Sequence, residues 1–141
     1  MQDRAIAEVT VTCPLFIDLP RKRGPAKRVH LSQNVIRNAH FQIQNAVKHA
    51  VKEIVWRQLS DSFHDIRLQE PVELQITLFK DKARRADLSN FCSVIDKYAT
   101  DAIVEYGLLS DDNVKVLKKV TYLFGGFDDA NPRAEITVKE L

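Results

Sequence analysis

The sequence predicts an α+β fold: a single domain with a mixed sheet of about four strands and two helices packed on it. Three observations carry this. Residues 7–13 and 72–79 alternate apolar and polar side chains with the period of a half-buried strand. Two other stretches, from about Ser32 to Leu59 and from Asn90 to Tyr106, repeat apolar residues at three- and four-residue intervals, as helices do. Finally, 141 residues and 16.1 kDa suffice for one sizeable core, and no internal repeat or low-complexity linker divides the chain.

In the first strand, read from Ala5 to Cys13, Ala7, Val9, Val11 and Cys13 alternate with Glu8, Thr10 and Thr12. Pro14 and Pro20 punctuate the next segment, where Leu15-Phe16-Ile17 reads as a short continuation. Arg21, Lys22, Arg23, Lys27 and Arg28 then place five cations within eight residues that have no hydrophobic period. Composition alone makes such a run a solvated loop. The functional alternative is an arm that grips DNA phosphates, with counterion release supplying affinity.

Ser32 or Asn34 suits the cap of a long helix reaching about Leu59, with Val35, Ala39, Ile43, Ala46, Val47, Ala50 and Ile54 on its apolar face. His40 and His49 would point to opposite sides of it, which argues against a zinc site. Trp56 reads as a packing or dimer contact. After Pro71, the strand Val72 to Phe79 delivers Lys80, Lys82, Arg84 and Arg85 immediately before Asp87.

In the next helix, Asn90, Val94, Lys97 and Asp101 form one stripe, with Asp87 just upstream on the same side. Phe91, Ile95, Tyr98, Ala99, Ala102, Ile103 and Tyr106 form a core face beside it. Gly107 fits a left-handed C-cap and leads the chain around to Asp111-Asp112. A strand from Val114 to Phe124 is expected next, then a turn over Gly125-Gly126, Asp128-Asp129 and Asn131-Pro132, then a last strand from Ala134 to Val138.

With 45% hydrophobic and 28% charged residues the composition is that of an ordinary soluble protein, and a net charge of +2 is too small to announce a nucleic-acid partner by itself. The clustering of the basic residues says more than their sum. Cys13 and Cys92 match no metal or redox spacing, so reduced thiols in a cytoplasmic protein are expected. Neither a signal peptide nor a membrane span is expected.

Carboxylates from two elements, with a Lys and an Asn between them, suit a site that holds Mg²⁺ or Mn²⁺ through hard oxygen ligands and neutralises phosphate charge. On these residues the expected metal ligands are Asp87, Asp112 and Asp111. Asp101 and Lys97 are expected to join Asp87 and Asp112 in catalysis, and Asn90 in a supporting role. Backbone contacts to DNA fall to Arg37, Lys82, Arg84, Arg85 and the 21–28 run. Alone, Lys97 and Asp101 read equally well as a solvated ion pair one turn apart, and Asp111-Asp112 as a turn.

The order Arg84-Arg85-Ala86-Asp87-Leu88-Ser89-Asn90, then Lys97 with Asp101-Ala102, then Gly107 and Asp111-Asp112-Asn113, resembles the RusA family of Holliday junction resolvases. Ser32-Gln33-Asn34 with Arg37 is a weaker echo of the same family's Ser-x-Asn loop. Pro132-Arg133-Ala134-Glu135-Ile136-Thr137 extends the likeness over roughly residues 28 to 141. Ser89 stands where the family usually has a second carboxylate, and Lys97 lies about one helical turn later than the usual pattern. The resemblance implies a Mg²⁺-dependent endodeoxyribonuclease, bacterial or phage-encoded, that resolves four-way junctions as a homodimer by paired symmetric nicks. It also admits a family member that binds branched DNA with weak or lost cleavage.

Overall fold

The computed structural model describes residues 7–62, 67–83, 85 and 87–141. Its elements are, in order, β1 (Glu8–Pro14), β2 (Phe16–Leu19), β3 (Lys27–His30), α1 (Gln33–Asn38), α2 (Phe41–Ser62), β4 (Val72–Lys80), α3 (Leu88–Tyr106), β5 (Leu117–Phe127) and β6 (Arg133–Glu140). Four strands form a mixed sheet in the order β1-β6-β4-β5. β4 pairs antiparallel with β6 and parallel with β5. A parallel pair needs a crossover, and α3 supplies it. The fold is the expected α+β architecture of one domain.

The core lies between one face of the sheet and the helices. Val72, Leu74, Ile76 and Leu78 of β4, Ala134, Ile136 and Val138 of β6, and Val9, Val11 and Cys13 of β1 are all buried there. Their alternation with polar residues is the period-two signal that the sequence carries. Phe91, Ile95, Tyr98, Ala99, Ala102 and Ile103 of α3 pack against them, as the helical period requires. Trp56 joins α2 to α3, its Nε1 donating to the Ala102 carbonyl at 2.8 Å, so it is a packing residue.

The structure departs from the expected elements at three places. Leu15-Phe16-Ile17 does not extend β1: β2 leaves the main sheet and pairs with β3 as a separate hairpin, whose tip is the basic run. The expected single helix from Ser32 is two, because Ala39 is extended (ψ 146°) and His40 starts a new helix, its Nδ1 accepting from the Gln42 N–H. Gln44 secures the break, donating to the carbonyls of Ile36 and Ala39 at 2.7 and 3.1 Å. The buried stripe is therefore Val47, Val51, Val55 and Leu59 rather than the face running from Val35, which is exposed.

β5 is also shifted towards the C-terminus: Val114 lies in the preceding loop, and Gly125-Gly126 belong to the strand instead of a turn. The pairing register slips between Leu78 and Phe79, where Gly126 takes φ 128°. A Cβ at Gly125 would come within 2.7 Å of the Phe79 ring, so the glycine lets that ring lie across the strand. In the sheet β6 sits between β4 and β1, so the last two strands of the chain are not neighbours.

Candidate nucleic-acid interface and acidic cluster

The sheet and α3 together give the molecule two chemically different ends. At the end where β4 finishes and α3 begins, a cleft of about 530 Å³ is lined by Lys80, Lys82, Arg85, Asp87, Leu78, Leu88, Phe124 and Phe127. A second cleft, of about 420 Å³, adjoins it and shares Lys80, running to Phe16, Arg28 and His30 at the base of the hairpin. The basic hairpin and the cations before α3 therefore occupy the same end of the molecule.

Within the hairpin the cations are not equivalent. Arg28 donates two hydrogen bonds to Asp18 across the β2/β3 pair, at 2.9 and 3.1 Å, and its guanidinium stacks 3.8 Å from the Phe16 ring centre. Its guanidinium holds the Asp18 carboxyl below the usual carboxylate range. Arg28 is thus largely committed to the hairpin itself. Arg21, Lys22, Arg23 and Lys27 are exposed and make no ion pair among the described residues. Gly24 turns the tip with φ 81°.

Lys80 is one of the four cations that the sequence places before Asp87, but its burial was not anticipated. It continues the core phase of β4 after Leu78, is only 7% exposed, and is ion-paired with Asp81 while its ammonium lies 5.5 Å from the Phe91 ring centre. The available signal was a Lys at the core-facing position of an otherwise apolar strand. Lys82 and Arg85 are exposed at the rim, and Arg84 lies outside the described residues. Asp128 and Asp129 serve the turn, as their spacing implied: Asp128 accepts from Arg133 and from the Asn131 N–H, and Asp129 accepts from the Lys82 N–H.

Asp87 stands at the N-cap position of α3 but makes no side-chain capping hydrogen bond. Its carboxylate faces the cleft from a helix end whose dipole favours negative charge. Asn90, one turn in, has its Oδ1 taken by the Gln33 N–H at 3.0 Å, which holds the start of α1 against α3. Lys97 lines a groove between α1 and α3 with Arg37, Gln44 and Ser93. Among the described residues no ion pair joins Lys97 to Asp101, so the one-turn spacing is not used as a salt bridge.

The opposite end is acidic. Asp111 accepts from the Asp112 N–H and from Asn113, and these bonds hold its carboxyl below the usual range. Asp112 is pushed the other way, by partial burial first and then by the negative charge of Asp111 and Asp101. Glu70 accepts from the Ser110 N–H and hydroxyl beside them. Asp112 thus lies close enough to Asp111 and Asp101 to feel their charge, and carboxylate oxygens of this kind are hard-cation ligands.

Asp87 does not join them within one chain. It precedes α3, whereas Asp111 and Asp112 follow it, and 19 residues of helix at about 1.5 Å each hold the two ends roughly 28 Å apart. The expectation that Asp87 and Asp112 share one ion is therefore corrected for the single protomer. The reason is mechanical: an unbroken helix keeps its ends apart however close they lie in sequence. Among the described residues no group of three or more His, Cys, Asp or Glu is arranged around a single metal position.

The polar contacts of α3 with β5 set the orientation of the whole helix. Asp96 accepts from the Tyr122 hydroxyl at 2.7 Å and from Thr100 Oγ1 at 2.9 Å. Burial, together with Asp96, pushes the Tyr122 phenol up. Both cysteines are free and buried, and burial raises the Cys13 thiol to about 12 and the Cys92 thiol to about 11. Neither is a ready nucleophile or metal ligand. No helix among the described residues is long and apolar enough to cross a membrane.

No protein-family model matches this chain, and no curated protein matches it significantly.

Proposed function

We propose that this protein engages the sugar-phosphate backbone of branched DNA and nicks four-way junctions with Mg²⁺ or Mn²⁺, acting as a cytoplasmic homodimer of the kind that RusA-like resolvases form. The observation that carries the reading is the shared basic end. Lys80, Lys82 and Arg85 line one cleft with the uncapped Asp87, and the base of the hairpin that carries four exposed cations lines the adjoining cleft with Lys80. Cations spread over a hairpin and a loop contact phosphates without reading bases, which suits selection by shape.

Asp112, with Asp111 or Asp101 beside it, would contribute carboxylates to a divalent ion whose remaining ligands come from water and the DNA phosphate, and the ion would supply a Lewis acid and an activated water when bound. Because Asp87 is a helix length away, no catalytic step is routed through an ion shared by Asp87 and Asp112 of one chain. Lys80, Lys82 and Arg85 hold the backbone and offset its charge, Lys97 and Arg37 extend that surface along α1, and Asn90 keeps α1 in place.

The same helix length favours a second reading, a branched-DNA binding module that does not cleave. One experiment separates the two: labelled four-way junction and linear duplex are incubated with the protein in EDTA, Mg²⁺ or Mn²⁺. Nuclease function predicts paired nicks in the junction that are lost in Asp87→Asn and Asp112→Asn. The binding module predicts a stable complex in EDTA and no product with either metal. Equal binding of junction and duplex, without cleavage, sinks both.

A further inference from the structure

The register slip near the end of β5 decides where two side chains point. A regular strand sends alternate residues to opposite faces, so residues three apart, such as Phe124 and Phe127, would point away from each other. Here Leu78 pairs with Phe124, Phe79 with Gly126 and Lys80 with Phe127, which leaves Gly125 as one extra residue. A bulge of this kind re-aims the side chains that follow it. Gly126, at φ 128°, holds it in a conformation that L side chains rarely adopt. Both Phe rings consequently emerge on the face of Leu78 and Lys80, edge-to-face at 5.2 Å, and line the same cleft of about 530 Å³.

The two rings are not part of the core. Phe124 is 53% exposed and Phe127 59%, although burial would favour both. The rest of the cleft is mainly cationic, with Lys80, Lys82 and Arg85 set against the single carboxylate of Asp87. Lys82 and Arg85 are exposed and make no ion pair among the described residues. A ligand that satisfies both halves has a flat apolar face for the rings and a negative charge beside it for the cations. A nucleotide carries both, as its base and its phosphate, and a cleft of this volume is of small-molecule size. Paired duplex offers phosphates but keeps its base faces stacked inside, so rings of this kind call for an unpaired base.

From the bulge, the exposed ring pair and the cations around it, we propose that this cleft takes one unpaired nucleobase of a branched DNA strand. The base stacks on a Phe ring, and its phosphate lies against Lys82 and Arg85. The rings are inclined at 72°, so a base lying flat on one of them meets the other at its border. Stacking accepts any base, because every base has a π face. The site therefore recognises an opening in the duplex rather than a sequence, which is how selection by shape would be carried out. The inference rests on the DNA binding in the proposed function and not on cleavage.

The test is run in EDTA with duplexes that differ at one position: fully paired, with one unpaired thymidine inserted, or with an abasic sugar-phosphate in place of that thymidine. Fluorescence anisotropy should show the unpaired thymidine bound about five- to a hundredfold more tightly than either of the others. Phe124→Leu with Phe127→Leu keeps the apolar volume and removes the π faces. It should bring the thymidine duplex to the affinity of the paired one, with the circular dichroism of the parent because both side chains are exposed. Phe124→Tyr with Phe127→Tyr should keep the preference. With 5-iododeoxyuridine at the unpaired position, irradiation should attach the DNA to Phe124 or Phe127, as located by peptide mass spectrometry.

Equal affinity for the three duplexes, with a four-way junction still bound, overturns the inference and leaves the proposed function standing. A preference that survives the Leu pair also overturns it, and a change of molar mass in that variant would then assign the rings to a protein contact. Crosslinks confined to other residues place the base elsewhere and have the same consequence. If neither the duplexes nor the junction bind, the DNA reading falls and this inference falls with it.

Discussion

Replacing Arg21, Lys22, Arg23 and Lys27 together with Gln should reveal how much of the DNA affinity resides in the hairpin tip. These four cations are exposed and unpaired among the described residues, whereas Arg28 is held by Asp18 at 2.9 Å. Each phosphate neutralised contributes about 0.9 to the slope of log affinity against log salt. If all four reach phosphates, the substitution removes about 3 to 4 from that slope. Over a fourfold salt change, from about 50 to 200 mM, a slope difference of that size corresponds to roughly a hundredfold difference in affinity loss. The assay is fluorescence anisotropy of a labelled four-way junction titrated in EDTA at several salt concentrations. Arg28→Gln is the internal control, expected to change the slope by less than about 1. An unchanged slope in the quadruple variant would refute the assignment of the hairpin as the main phosphate contact, whatever happens to cleavage.

Tyr122→Phe removes the 2.7 Å hydrogen bond to Asp96 and should cost about 1.5–3 kcal/mol, read as a lower urea midpoint with an unchanged slope. Because the folded-state Tyr122 phenol titrates above its unfolded value, the parent should hold this stability up to the ordinary tyrosine range and lose it as pH rises further. The Phe variant should lose less over the same alkaline interval. Gly107→Ala forces a side chain into φ 98° at the α3 C-cap and should destabilise by about 1–2 kcal/mol, although its Cβ meets nothing within 4 Å. A neutral result would mean that the backbone there relaxes. Glu140→Gln should cost about 1–3 kcal/mol, since its two oxygens accept from the Ala7 and Gln69 N–H groups at 2.8 and 2.5 Å and an amide can serve only one of them; thermal unfolding measures it.

The strands and the long central helix were legible because their signals are local. Alternation of Val72, Leu74, Ile76 and Leu78, or the spacing of Phe91, Ile95, Tyr98 and Ala102, reports which side of one element meets the core. The helix break was hidden because Ala39 is an excellent helix former, and what stops α1 there is the combination of an extended Ala39, the His40 ring on the Gln42 N–H and Gln44 on the freed carbonyls. β2 and β3 are four residues each, too short for a period to register, and their pairing depends on a turn made within a run of cations. The placing of β6 between β4 and β1 has no sequence signal at all, because strand order is decided by which edges remain once α3 has crossed over.

The site was read from density along the chain, and here a rigid element separates sequence distance from spatial distance. Some 25 residues from Asp87 to Asp112 look like one cluster on paper, yet 19 of them form an unbroken rod, so closeness in sequence becomes a fixed separation of a full helix length. The same rod sorts charge, with Lys82 and Arg85 at its start and Asp101, Asp111 and Asp112 at its end, and no basic residue in its last turn to satisfy the helix dipole there.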